Sequence, residues 1–101
     1  MATIYINATT AEVTSDMLQL RQSDVPTTIT AKGLAGVETV DIKMSQDSGA
    51  TSFDAYYDGN QVQLTATGNQ TVITSPGTYI LYKNTTAGNV TVAAHNDRLG
   101  L

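Results

Sequence analysis

One histidine, nine carboxylates and no cysteine bound the chemistry open to this 101-residue chain. A serine-type hydrolase needs its histidine held between a nucleophile and an orienting carboxylate. His95 lies in Ala94-His95-Asn96-Asp97, after the last alternating run, where nothing preorganises a base. It is read as a solvated or interface residue. One histidine without cysteine also lacks the ligand sets of ordinary zinc sites. Asp47, Asp54 and Asp58 could gather at one end of a domain, and Asp58-Gly59-Asn60 carries oxygen ligands that suit calcium. There is, however, no Asp-x-Asp-x-Asp-Gly run and no glutamate at the required offset. Asp-Gly-Asn beside a strand is what a hairpin turn demands. No metal, no cofactor, no calcium dependence of stability and no enzymatic role are expected.

Other chemistries fare no better. A pair of glycosidase carboxylates needs a cleft, for which a chain of this length has little room. Gly33-Leu34-Ala35-Gly36 lacks the lysine and the following helix of a phosphate-binding loop. Four Asn-x-Thr sequences, at Asn7, Asn69, Asn84 and Asn89, arise by chance in a chain rich in Asn and Thr. Phe53, Tyr56 and Tyr57 have rings that could stack on sugars. Strand alternation sends Phe53 and Tyr57 to one face and Tyr56 to the other, so a platform would be split between core and surface.

The charged fraction is 14%, well below the roughly 25% usual in globular domains. Thr, Ser, Asn and Gln carry the polarity instead. Such a surface loses little charge hydration when another protein covers it, although Thr is also an ordinary strand residue. The net charge is −4, and Arg21, Lys32, Lys43, Lys83 and Arg98 form no stripe. Nucleic acid and anionic membranes are therefore not expected partners. Met1 to Ile6 shows neither a basic leader nor a long apolar run, as in a protein made and used in a cytoplasm.

The elements read as strands. Thr51 to Tyr57, Gln61 to Thr67, Thr78 to Lys83 and Val90 to Ala94 alternate between turn signals. Upstream, Thr3 to Ala8, Val25 to Lys32 and Glu38 to Met44 do the same, with Pro26 confined to a strand start or an edge. Met17 to Arg21 is ambiguous. Val13, Met17 and Leu20 have helical spacing, whereas Leu18 and Leu20 alternate as a strand, and the all-β context favours the strand. About eight strands in 101 residues predict one small antiparallel β-sandwich, immunoglobulin-like, with a short tail from about residue 95. The expected core is Ile4, Ile6, Ile29, Val40, Ile42, Phe53, Val62, Leu64, Tyr79, Leu81, Val90 and Val92.

Ser75-Pro76-Gly77-Thr78-Tyr79-Ile80-Leu81 is similar to the corner that enters the sixth strand of an immunoglobulin-like sandwich. There a tyrosine hydroxyl bonds to upstream backbone, a role that falls here to Tyr79. An ordinary Pro-Gly turn before a core tyrosine is the alternative. The paired cysteines and core tryptophan of antibody domains are missing. With Tyr79 and Leu81 inward, Ile80 and Tyr82 point outward. Either the tail covers them through Leu99 and Leu101, or they meet an identical subunit or a larger particle. Ile80, Tyr82, Tyr56, Leu99 and Leu101 are the candidate interface.

The closing module from Thr74 to Asn84, followed by Thr85-Thr86-Ala87-Gly88-Asn89-Val90-Thr91-Val92, resembles the C-terminal hairpin of small β-sandwich virion proteins of tailed bacteriophages, in particular head decoration and accessory proteins. The missing Cys and Trp and the Thr/Asn/Gln-rich strands fit the same style. The resemblance implies a virion component made in the host cytoplasm, a homo-oligomer bound in symmetric copies to a capsid or tail protein. It carries no catalytic residues. A carbohydrate- or receptor-binding sandwich is the alternative.

Overall fold

Alternating runs of Thr, Val and Ile become strands because the pleat puts every second side chain on one buried face. The structure, a computed structural model, describes residues 3–47, 50–57 and 59–95. Its strands are β1 (Thr3–Thr9), β2 (Val13–Thr14), β3 (Leu18–Leu20), β4 (Thr27–Lys32), β5 (Thr39–Ser45), β6 (Phe53–Asp54), β7 (Tyr56–Tyr57), β8 (Asn60–Gln61), β9 (Gln63–Thr65), β10 (Gln70–Ile73), β11 (Gly77–Lys83) and β12 (Val90–His95). Eight of them have three residues or more. One sheet runs β1-β12-β4-β10. In the other, β2 and β3 line one side of β11, β5 the other, and β6 and β9 follow along the far side of β5. All pairings are antiparallel.

The two sheets form a small all-β sandwich around Ile6, Ile29, Val90, Val92 and Ala94 from the first and Leu18, Leu20, Val40, Ile42, Leu64, Tyr79 and Leu81 from the second. The chain changes sheet between β4 and β5, and again between β10 and β11. The first members pair with each other, and so do the second. The B–E and C–F strands of an immunoglobulin sandwich pair in the same way. The last strand differs from the antibody arrangement, since β12 lies between β1 and β4 rather than beside β11. The corner is present: Tyr79 donates its hydroxyl to the Ser75 carbonyl at 2.8 Å.

Met17 to Arg21 resolves to a strand over its centre, with Leu18 and Leu20 in the core. Between β2 and β3 the ladder is kept by a side chain: Ser15 Oγ accepts from Leu81 N–H at 3.0 Å, while Ser15 N–H donates to the Leu81 carbonyl at 2.9 Å.

Two expected core residues are exposed. Ile4 pairs with Ala93, and Ile6 with Val92, so β1 carries one extra residue between them. That bulge reverses the parity of the strand and turns Ile4 outward. Phe53 is 47% exposed, because its strand is not continuous. At Ala55 the chain leaves β5, whose Ile42 carbonyl accepts from Ala55 N–H at 3.0 Å. It makes the two-stranded excursion β7–β8 and returns at Val62, whose carbonyl accepts from Ile42 N–H at 3.1 Å. The alternation of Phe53, Ala55 and Tyr57 is therefore broken, and of the three only Ala55 is buried.

Gly33 ends β4 at φ +106°, and a Cβ there would sit 2.1 Å from the Asn89 carbonyl oxygen. Neither a side chain's φ preference nor the opposing backbone can give way cheaply. Gly33→Ala is expected to cost about 1–3 kcal/mol, read as a lower urea midpoint with an unchanged slope. A wild-type midpoint would mean that the two loops do not approach so closely.

Candidate functional site

The β7–β8 excursion carries two adjacent tyrosines away from the sandwich. Tyr56 is 64% and Tyr57 73% exposed. Opposite them stands β10, the last strand of its sheet, with Val72 49% exposed. Between hairpin and strand lies a cleft of about 400 Å³, within the range of small-ligand sites. Ile42, Met44, Ile73 and Tyr79 are among its lining residues, with Tyr56, Tyr57 and Val72 also bordering it. The polar groups of the lining are the hydroxyls of Thr71, Thr74, Ser75 and the tyrosines. Among the described residues, no charged and no amide side chain lines it.

Of the candidate interface, Tyr56 is at this site. Phe53, also exposed, sits on the neighbouring β6. The three rings are thus all at the surface, and the expected split between core and surface does not occur. The excursion is the reason, and composition carried no sign of it beyond the Gly59-Asn60 turn.

Ile80 is not an exposed interface residue: it is 5% exposed. It does point away from the core, and it stands outside the inter-sheet cluster. Yet β11 is flanked on both sides. Lys43 pairs directly with Ile80. The Lys43 ammonium reaches Asp54 at 2.9 Å and lies 5.5 Å from the Tyr82 ring centroid, so its stem can lie along this face. Tyr82 is half-buried, with its hydroxyl donated to the Glu12 carboxylate and 2.9 Å from Asn84 Oδ1. Leu99 and Leu101 lie outside the described residues.

The groups considered for chemistry are occupied elsewhere. His95 belongs to β12 and not to a tail, and its Nε2 is 3.0 Å from Thr30 Oγ1. Asp47 accepts from Thr51 and from Ser45 Oγ, and Asp54 pairs with Lys43. Asp58 lies outside the described residues. Among the described residues no three His, Asp or Glu side chains gather as metal ligands would.

One buried charge was not expected. Lys83 is 0% exposed, and its ammonium donates to the carbonyls of Ala11 at 2.6 Å and Asn84 at 3.0 Å. Alternation from Tyr79 through Leu81 puts residue 83 on the inner face, and that was the available signal. Nearby, Glu38 accepts from the N–H groups of Ala87 and Ala35, both at 2.9 Å. These contacts tie three loops together at one end of the sandwich. They form a brace, at the opposite end of β11 from the corner at Tyr79.

The backbone N–H groups of Ala87 and then Ala35 hold the Glu38 carboxyl below its usual value. Thr51 and Ser45 do the same for Asp47. A depressed folded value means that the unfolded chain binds the proton first as pH falls. The stabilisation is present above the unfolded value of about 4 and is lost as pH drops through the folded one. Glu38→Gln should flatten this acid loss. The check is the urea midpoint at pH 7 and pH 3 for both proteins. An equal fall in each would remove Glu38 from the account.

Compared with family models, with curated proteins and with solved structures, the chain matches none.

Proposed function

We propose that this protein is a non-enzymatic binding component of a tailed-bacteriophage particle, attached in symmetric copies to capsid or tail protein. The observation that carries the binding role is the exposure of the Phe53, Tyr56 and Tyr57 rings, the two tyrosines bordering a cleft that no charged side chain lines among the described residues. Rigid rings offer large contact area at small entropic cost, and tyrosines are enriched where binding energy concentrates. A low charge fraction favours coverage by another protein. The phage setting rests on the resemblance of the closing module from Thr74 to Val92. The second reading, a carbohydrate- or receptor-binding module, draws on the same three rings, which can stack on sugar faces.

Co-sedimentation with tailed-phage particles, set beside a glycan array on the isolated protein, separates the two. Saturable pelleting in a fixed ratio to capsid protein is the expected result. Saturable glycan binding with no particle association would overturn the leading reading.

A further inference from the structure

The geometry points to the cleft between β10 and the β7–β8 hairpin as a site that takes an extended, uncharged segment of a partner protein, added as a strand to β10. This deepens the reading of the protein as a particle-binding module and rests on it.

The backbone of β10 supplies the first argument. Asn69 accepts from Ala31 N–H at 2.9 Å, and Gln70 to Ile73 continue in register against Thr30 to Thr27. Bonding alternates along an antiparallel ladder. Thr71 and Ile73 therefore turn their N–H and C=O groups toward β4, and Gln70 and Val72 turn theirs away from it. Among the described residues β10 pairs with β4 alone. The outward groups of Gln70 and Val72 are thus an open strand edge, bordering the cleft at Val72, and an open edge is what strand addition uses.

The lining supplies the second argument, and it decides between occupants. A sugar brings many hydroxyls, each costly to bury without a partner. Among the described residues the lining offers no carboxylate, amide, guanidinium or imidazole to meet them. Those residues bring no cation for a phosphate and no charge for a charged peptide. Met44, Val62 and Val72, the aliphatic lining residues that keep accessible surface, instead suit apolar side chains, which an extended segment presents at every second position. The backbone of that segment would be satisfied by β10, and Tyr56 and Tyr57 would close over its outer side.

The probe is an amidated Thr-Val-Thr-Val-Thr-Val peptide with fluorescein on its N-terminal amine, acetylated there in the unlabelled competitor, titrated by anisotropy against the full chain. Saturable binding with a Kd below about 1 mM is expected. The same peptide N-methylated at alternate amides should bind at least tenfold more weakly, since it cannot complete the ladder. Val72→Pro removes an outward N–H and no β4 bond, as an edge strand tolerates, and should weaken binding at least tenfold. Val72→Thr should stay within threefold. A thermal melt checks both variants. Should Val72→Pro unfold, the N-methyl comparison on wild-type protein still decides.

Equal binding of the methylated peptide overturns the inference, as does unaltered binding by a folded Val72→Pro variant. So does displacement of the peptide by maltohexaose at lower concentration than by unlabelled peptide. Self-association that Val72→Pro abolishes, with no peptide binding, would make a second copy the occupant and overturn it too. Particle pelleting by Val72→Pro at wild-type level would remove the cleft from particle binding while leaving the particle role intact.

Discussion

Truncating Leu81 to Ala lowers the unfolding free energy by about 2–5 kcal/mol. Leu81 is fully buried between the sheets on the central strand of its sheet, with β5 on one side and β2 and β3 on the other. Those neighbours are held by ladder bonds and by Ser15, so the site has little freedom to collapse around the missing atoms. A domain of this length has a total stability of roughly 5–15 kcal/mol. One truncation thus removes at least about an eighth of it, and the melting temperature falls by about eight degrees or more. Phe53→Ala, at an exposed ring on β6, should cost less than about 1 kcal/mol. Urea denaturation of both variants gives the comparison. Equal losses would mean that Phe53 is a core residue and that the excursion at Ala55 is misplaced.

That contrast shows what alternation can and cannot convey. Val40 with Ile42, and Val90 with Val92, were legible because an uninterrupted strand with one buried face must alternate. Phe53, Ala55 and Tyr57 alternate equally well, but the pattern does not record that the chain leaves the sheet at Ala55. Ile4 failed for a related reason: one extra residue in β1 reverses parity without altering composition. Strand β10 went unread because Gln70-Thr71-Val72-Ile73 is short, lies between turn signals and buries one apolar side chain, Ile73.

Direction was also more legible than cover. Ile80 points away from the core as alternation requires, yet it is buried on a strand that has neighbours on both sides. Whether an outward side chain is exposed is a property of the sheet, and the strand alone does not carry it. The cleft is the extreme case. Its two walls, β10 and the hairpin, lie in different sheets, and no spacing within either segment relates them. The sequence reading held the aromatic rings of the site but not their common exposure.

Replacing Lys83 by Ala lowers stability by about 3–5 kcal/mol. The change empties the volume of a fully buried stem and leaves the Ala11 and Asn84 carbonyls without the ammonium that joins them. Lys83→Met keeps most of the volume and loses the donors, so its cost at neutral pH lies below that of Ala. The two proteins with long side chains then diverge with pH. Burial pushes the Lys83 amine below the ordinary lysine value, while the Glu38 charge acts the other way. Above the folded value the native amine is neutral, but the unfolded chain still binds the proton up to about 10.4. Unfolding takes up a proton in that window, so the lysine's contribution rises with pH there. Tyr5, Tyr79 and Tyr82 are all pushed up, and their contribution falls above pH 10, but it is common to wild type and Lys83→Met. The difference in unfolding free energy between those two, measured in urea from pH 7 to pH 10, should therefore grow in favour of wild type. A constant difference would mean that the amine meets water in the folded state, and the brace at that end of the sandwich would have to be assigned to Glu38 alone.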